Sequence, residues 1–110
     1  MIIKKPSIFI YTNEPDSAAL KETCAGIEEE GLFFELKEME KSALDELAWH
    51  AANDSMLGSG IGIRGNHIAL QMRGLDKGYN IQSYQNPTKE QCRKLGANSA
   101  RAIKKLAFKE

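Results

Sequence analysis

Residues 58–73 read "GSGIGIRGNHIALQMR", and the fold turns on how this stretch is read. Within it, "GIGIRG" (60–65) spells GxGxxG letter for letter. As a dinucleotide fingerprint, that pattern needs a strand before it and a helix N-terminus after it, so that backbone amides meet a pyrophosphate. Here the glycines alternate with Ile61 and Ile63, which is the period of a strand. Gly65-Asn66 then leads into "HIALQMR" (67–73), a second strand-like run rather than a helix. The stretch is therefore a strand pair, 58–65 and 67–73, turning at Gly65-Asn66, with the second strand antiparallel to the first. A nucleotide site is set aside. Bare backbone on one face of the first strand instead admits a close neighbour: a helix, a partner or a flat ligand.

Upstream, "SIFIYT" (7–12) is an apolar run of β-formers and reads as a buried strand. Asp16 is placed to N-cap a helix over 16–30 that buries Leu20, Thr23, Cys24 and Ile27, and Gly31 supplies its C-terminal stop. "LFFELKE" (32–38) is a second strand. Ser42 with Asp45 three residues on is expected to open a second helix carrying Leu44, Leu47, Ala48 and Ala51 on one face. Downstream of the strand pair, "YNIQSY" (79–84) reads as a fifth strand. Thr88 and Gln91 form a capping box for a last helix with Cys92, Leu95, Ser99, Ile103 and Leu106 facing inward. The order is βαβαβββα. Helices alternating with the first three strands imply parallel pairing by right-handed crossovers. The expected fold class is α/β: a three-layer α/β/α domain over residues 1–110, with a mixed, mostly parallel five-stranded sheet whose fourth strand is antiparallel.

The chain has 110 residues, enough for one core and too few for two ordinary domains. No apolar run approaches the roughly 18 residues of a membrane span, and "MIIKKPSIFIYT" lacks the features of a signal peptide. Cys24 and Cys92 have neither CxxC spacing nor framework density and read as reduced thiols of a cytosolic protein. The net charge of zero conceals an asymmetry: residues 1–55 hold 5 Lys/Arg against 12 Asp/Glu, and residues 56–110 hold 10 against 3. Either the two halves pair internally, or the domain shows opposite-sign faces to a partner. The basic residues are not interleaved with stacking aromatics, so nucleic acid is not an expected partner.

Catalytic constellations are absent from the pattern. His50 and His67 have no metal-ligand or triad spacing, no serine lies in a nucleophile-elbow context, since neither "DSM" (54–56) nor "GSG" (58–60) precedes a helix, and Cys24 falls mid-helix. The unusual feature is "GIEEEG" (26–31), three carboxylates in the last turn of a helix, where the dipole disfavours them. At about 100° per residue, Glu28 and Glu30 flank the buried stripe and Glu29 points away from the core. Two readings stay open: a solvated helix end, or carboxylates offered to a hard cation such as Mg²⁺ or Ca²⁺ that takes its other ligands elsewhere.

Three ordered stretches, "CAGIEEEGLFFEL", "LAWHAANDSMLGSGIGIRG" and "CRKLGANSARAIKKLAF", resemble the small subunit of the reactivating factor for adenosylcobalamin-dependent diol and glycerol dehydratases. They are also similar to the core of the dehydratase medium subunit. The resemblance runs from about residue 7 to 108 and is loosest over 73–87. It implies the same three-layer fold and a non-catalytic, chaperone-like role. The expected partner is the factor's large subunit, which carries the ATP or ADP. The chain would exchange with the dehydratase medium subunit in transient complexes, so that damaged cobalamin leaves the inactivated diol or glycerol dehydratase. It also implies a divalent metal, Mg or Ca, shared with the large subunit and held by Glu29, with Glu28 and Glu30 as lesser candidates. The cytoplasm is the expected location, with bacterial microcompartment association as an option and no membrane. The alternative is a dehydratase medium subunit contributing to a cobalamin pocket; the shortness of the chain favours the first reading.

Overall fold

The computed structural model describes residues 5–109. The part of the signal-peptide reading that rests on residues 1–4 lies outside them. The chain runs β1 (Ser7–Asn13), α1 (Ser17–Glu29), β2 (Phe33–Glu38), α2 (Leu44–Asp54), β3 (Ser59–Arg64), β4 (His67–Met72), β5 (Gln82–Gln85) and α3 (Lys89–Lys104). The strands form one sheet in the order β2-β1-β3-β4-β5. β1 pairs in parallel with both β2 and β3, while β4 is antiparallel to β3 and to β5. Four strands thus share a direction and β4 alone opposes them, as the Gly65-Asn66 turn requires.

The layers follow from the order of the crossovers. From β1 the chain steps outward to β2, then back past β1 to β3, so two crossovers of one hand travel in opposite directions. That puts their helices on opposite faces of the sheet. One face buries Ile8, Ile10, Ile61, Ile63, Ile68 and Leu70 against Ala19, Cys24 and Ile27 of α1 and Cys92, Leu95 and Ala100 of α3. The other packs Phe9, Tyr11 and Met39 against Leu47 and Ala51 of α2.

Bare backbone in β3 is what lets α2 sit down. A Cβ on Gly60 would lie 2.1 Å from the Ala52 nitrogen, and one on Gly62 would lie 2.6 Å from the Ala48 nitrogen. Of the three neighbours the sequence admitted for this face, a helix occupies it. The same device joins α1 to α3. A Cβ on Gly26 would lie 2.1 Å from the Arg93 carbonyl oxygen, and one on Gly96 would lie 2.0 Å from that of Thr23.

The ends of α1 are as read. The Asp16 carboxylate accepts from the Ala19 amide, and Gly31 takes φ +77° just past the C-cap Glu30. Gly31 N–H then bonds to the Glu28 carbonyl at 2.9 Å and Leu32 N–H to that of Ile27 at 3.5 Å. The Thr88–Gln91 capping box is formed in both directions. Three expectations need correction. Ser42 does not cap α2: Ala43 holds the N-cap position, and Ser42 Oγ donates to the Glu40 carbonyl. The fifth strand begins at Gln82 rather than Tyr79, because the segment before it is drawn onto α2 by Lys77–Glu46 and Asn80–Asp45 bonds, each 2.8 Å. Leu106 lies past the end of α3 and is exposed, while Cys92, Leu95 and Ser99 are buried and Ile103 packs on the core.

Candidate functional site

The glutamate run lies where α1 ends beside α3. Thr23 meets Gly96, Gly26 meets Arg93 and Ala97, and Glu30 meets Arg101 and Lys104, so the two helices run in the same direction. Their C-terminal ends are neighbours. The basic last turn of α3 therefore answers the carboxylates at the end of α1. Glu30, with its side chain only 10% exposed, pairs with Arg101 Nε at 3.3 Å and Lys104 Nζ at 3.7 Å. Lys104 also donates to the Glu30 carbonyl, placing a cation on the backbone at the helix end.

The other two glutamates differ in what they offer. Glu29 is 43% exposed and has Arg93 Nε 3.3 Å from one carboxylate oxygen. Arg93 meanwhile donates through Nη2 to Glu22 at 2.7 Å, so it keeps a partner if Glu29 turns away. Glu28 is exposed and, among the described residues, makes no ion pair. The structure thus separates the run: Glu30 is committed inside the chain, whereas Glu28 and Glu29 face outward. Among the described residues, no group of three His, Cys, Asp or Glu side chains is placed to hold a metal. This surface can supply one or two hard oxygen ligands to a cation completed from elsewhere.

A second feature, which the sequence reading did not single out, lies at the carboxyl ends of β1 and β3. There the strand order reverses, the usual position for a crevice in an open α/β sheet. An open cleft of about 540 Å³ is lined by Asn13, Glu14, Lys41, Arg64, Gly65, Asn66 and His67. Its signal was topological, and reading it requires β1 to be placed between β2 and β3. The cleft is polar but carries both signs of charge. At its margin, Glu38 accepts from Thr12 Oγ1 at 2.5 Å and from the Glu14 amide at 2.9 Å. Those two bonds, the Thr12 one foremost, hold the Glu38 carboxyl below its ordinary range. Glu14, with φ +46°, is held in the left-handed region at the same place.

The cysteines are not poised as nucleophiles. Both are buried. Burial, with Glu28 adding to it, pushes the Cys24 thiol up to about 11, and burial likewise raises Cys92. The Tyr11 phenol is raised as well, first by burial and then by its 2.5 Å bond to Asp54. Of the histidines, His50 sits 3.3 Å from Glu46 on the surface of α2 and His67 borders the cleft. Among the described residues, no helix is long and apolar enough to cross a membrane.

A family model for the dehydratase medium subunit matches residues 5–109. The chain belongs to that family. Two solved structures are similar to this dehydratase medium subunit family member over nearly its whole length. One, a structure of diol dehydratase-reactivating factor complexed with ADP and Mg²⁺, is 26% identical with a TM-score of 0.90, covering 97% of this chain and 100% of the other. The second, a glycerol dehydratase reactivase, is 26% identical with a TM-score of 0.91, covering 96% of this chain and 98% of the other. A search of curated proteins finds no significant match. Both structures share the mixed α/β architecture described above.

Proposed function

We propose that this chain is the small subunit of a reactivating factor for diol or glycerol dehydratase, acting as one domain without catalysis of its own. The observation that carries this reading is the similarity, over almost the full length of both chains, to the two reactivating-factor structures. In it, a large subunit binds ATP or ADP and takes this chain as its partner. The chain exchanges with the dehydratase medium subunit, which belongs to the same family. That exchange loosens the inactivated enzyme so that damaged cobalamin leaves. Glu29 supplies a carboxylate oxygen to a divalent cation shared with the large subunit, with Glu28 beside it. The exposure of Glu29 and the second partner available to Arg93 support this role.

Co-expression with a reactivating-factor large subunit tests the proposal. A stable complex is expected, weakened by chelator and by Glu29→Ala, while Glu90→Ala on α3 leaves it intact. If no complex forms, the subunit assignment fails. If a complex forms but ignores both chelator and Glu29→Ala, only the metal assignment fails.

The family match itself favours a second reading, a medium subunit lending a wall to a cobalamin pocket. Stoichiometric binding of cobalamin to the chain together with a dehydratase large subunit, followed by its absorption spectrum, would select that reading instead.

A further inference from the structure

Strand β2 ends one side of the sheet, and among the described residues β1 is its only strand partner. It runs for six residues without a proline, in unbroken register from Ser7–Phe33 to Thr12–Glu38. Phe33 is 52% and Leu36 49% exposed. The opposite edge is managed differently: β5 is four residues long and is followed by Asn86 at φ +51° and Pro87. α2 lies mainly over β3, β4 and β1, which leaves beside β2 a shallow hollow of about 210 Å³ lined by Phe9, Tyr11, Glu35, Leu36 and Lys37.

The free edge has a defined hydrogen-bond phase. Met39 N–H donates to the Thr12 carbonyl at 2.7 Å. Alternation along the strand then turns the N–H and C=O groups of Phe34, Leu36 and Glu38 outward. When two copies pair antiparallel about a two-fold axis, these outward residues must face one another. Within the strand's charged centre, that phase allows an axis at Glu35, Leu36 or Lys37, and none between residues. An axis at Glu35 sets two glutamates opposite each other, and an axis at Lys37 sets two lysines. Both place like charges directly across the ladder.

An axis at Leu36 does the reverse. Leu36 meets its own copy, and Glu35 meets Lys37 of the second copy twice over. On the same face, Phe33 comes opposite Met39. The strand is therefore self-complementary in one register, and the charges that repel the neighbouring registers are the ones that select it.

We propose that two copies of this chain join edge to edge through β2, antiparallel about Leu36, so that the sheet runs continuously across both. This pairing belongs to the free chain and does not rest on the reactivating-factor reading. Sedimentation equilibrium of the full chain should show a reversible monomer–dimer equilibrium in the micromolar range. Glu35→Lys alone and Lys37→Glu alone each turn both cross-strand pairs into like charges, and each should raise the dimer Kd roughly ten- to a hundredfold. The double swap Glu35→Lys/Lys37→Glu should restore dimerisation. Mixing the two single variants should give a heterodimer that neither forms alone. Circular dichroism should show both variants folded, since the two side chains are exposed. A chain that stays monomeric throughout, a dimer indifferent to the single swaps, or a mixture that fails to associate would each overturn the proposal.

Discussion

At the scale of single residues, missing side chains matter more than present ones. Gly60 and Gly62 could be singled out in the sequence because they alternate with isoleucines in a strand. Gly26 and Gly96 could not, since a lone glycine inside a helical pattern resembles a tolerated weakness. The structure shows the backbone of each helix within contact distance of the other at these two positions. Gly96→Ala should therefore destabilise the fold by about 3 kcal/mol, the upper part of the range for overpacking, although alanine favours helix. Urea unfolding of the variant beside the parent chain checks this; an unchanged or raised midpoint would show that the helices can separate freely. The glutamates make the same point about context. Helical angles alone turned Glu29 outward, but only the neighbouring helix reveals that Glu30 is held by Arg101 and Lys104.

At the scale of elements, local chemistry predicted most boundaries and failed where a tertiary contact competed. Asp16, Gly31 and Thr88 act within their own turns, and each does what its residue type predicts. Ser42 and Asp45 have the letters of a helix start, yet the helix begins later. Asp45 is occupied by Asn80 and Ser42 by a local turn. Two substitutions distinguish the real cap from the apparent one. Thr88→Ala should cost about 1 kcal/mol, whereas Ser42→Ala should change stability by less than about 0.5 kcal/mol. Thermal unfolding of the two variants side by side reads the difference, and equal effects would contradict the assignment. The start of β5 shifted for the reason α2 did: residues 77 and 80 bond to Glu46 and Asp45.

At the scale of the whole molecule, the opposed charges of the two halves meet in part, among the described residues four of the 12 acids of residues 1–55 pairing with four of the 10 bases of residues 56–110. Glu22 and Glu29 pair with Arg93, Glu30 with Arg101 and Lys104, and Glu46 with Lys77, each an acid of the first half with a base of the second. The Lys77–Glu46 and Arg93–Glu29 pairs are exposed and add little stability individually, whereas Glu30 is held in a largely covered pair with Arg101. The sheet couples the layers, because β1 and β3 bury residues against helices on both faces. Unfolding should accordingly be a single transition. Trp49 fluorescence, which reports on α2, and far-UV circular dichroism, which reports on all three helices, should give superimposable urea curves. A separate early loss of either signal would show that the layers unfold independently.

The sequence by itself determined which segments are strands and helices, the parallel start of the sheet, the reversal at Gly65-Asn66 and the family resemblance. Those features depend on periodicity, caps and turn residues, whose physics acts over a few neighbouring positions. The tertiary structure alone decided which surface the β3 glycines meet, which of the three glutamates is bound internally and where the switch-point cleft lies. It also decided that β2 is left as an edge strand among the described residues. Each of these depends on groups far apart in the chain. Whether Glu30 faces water or Arg101, 71 positions away, is set by how α1 and α3 are laid side by side on the sheet.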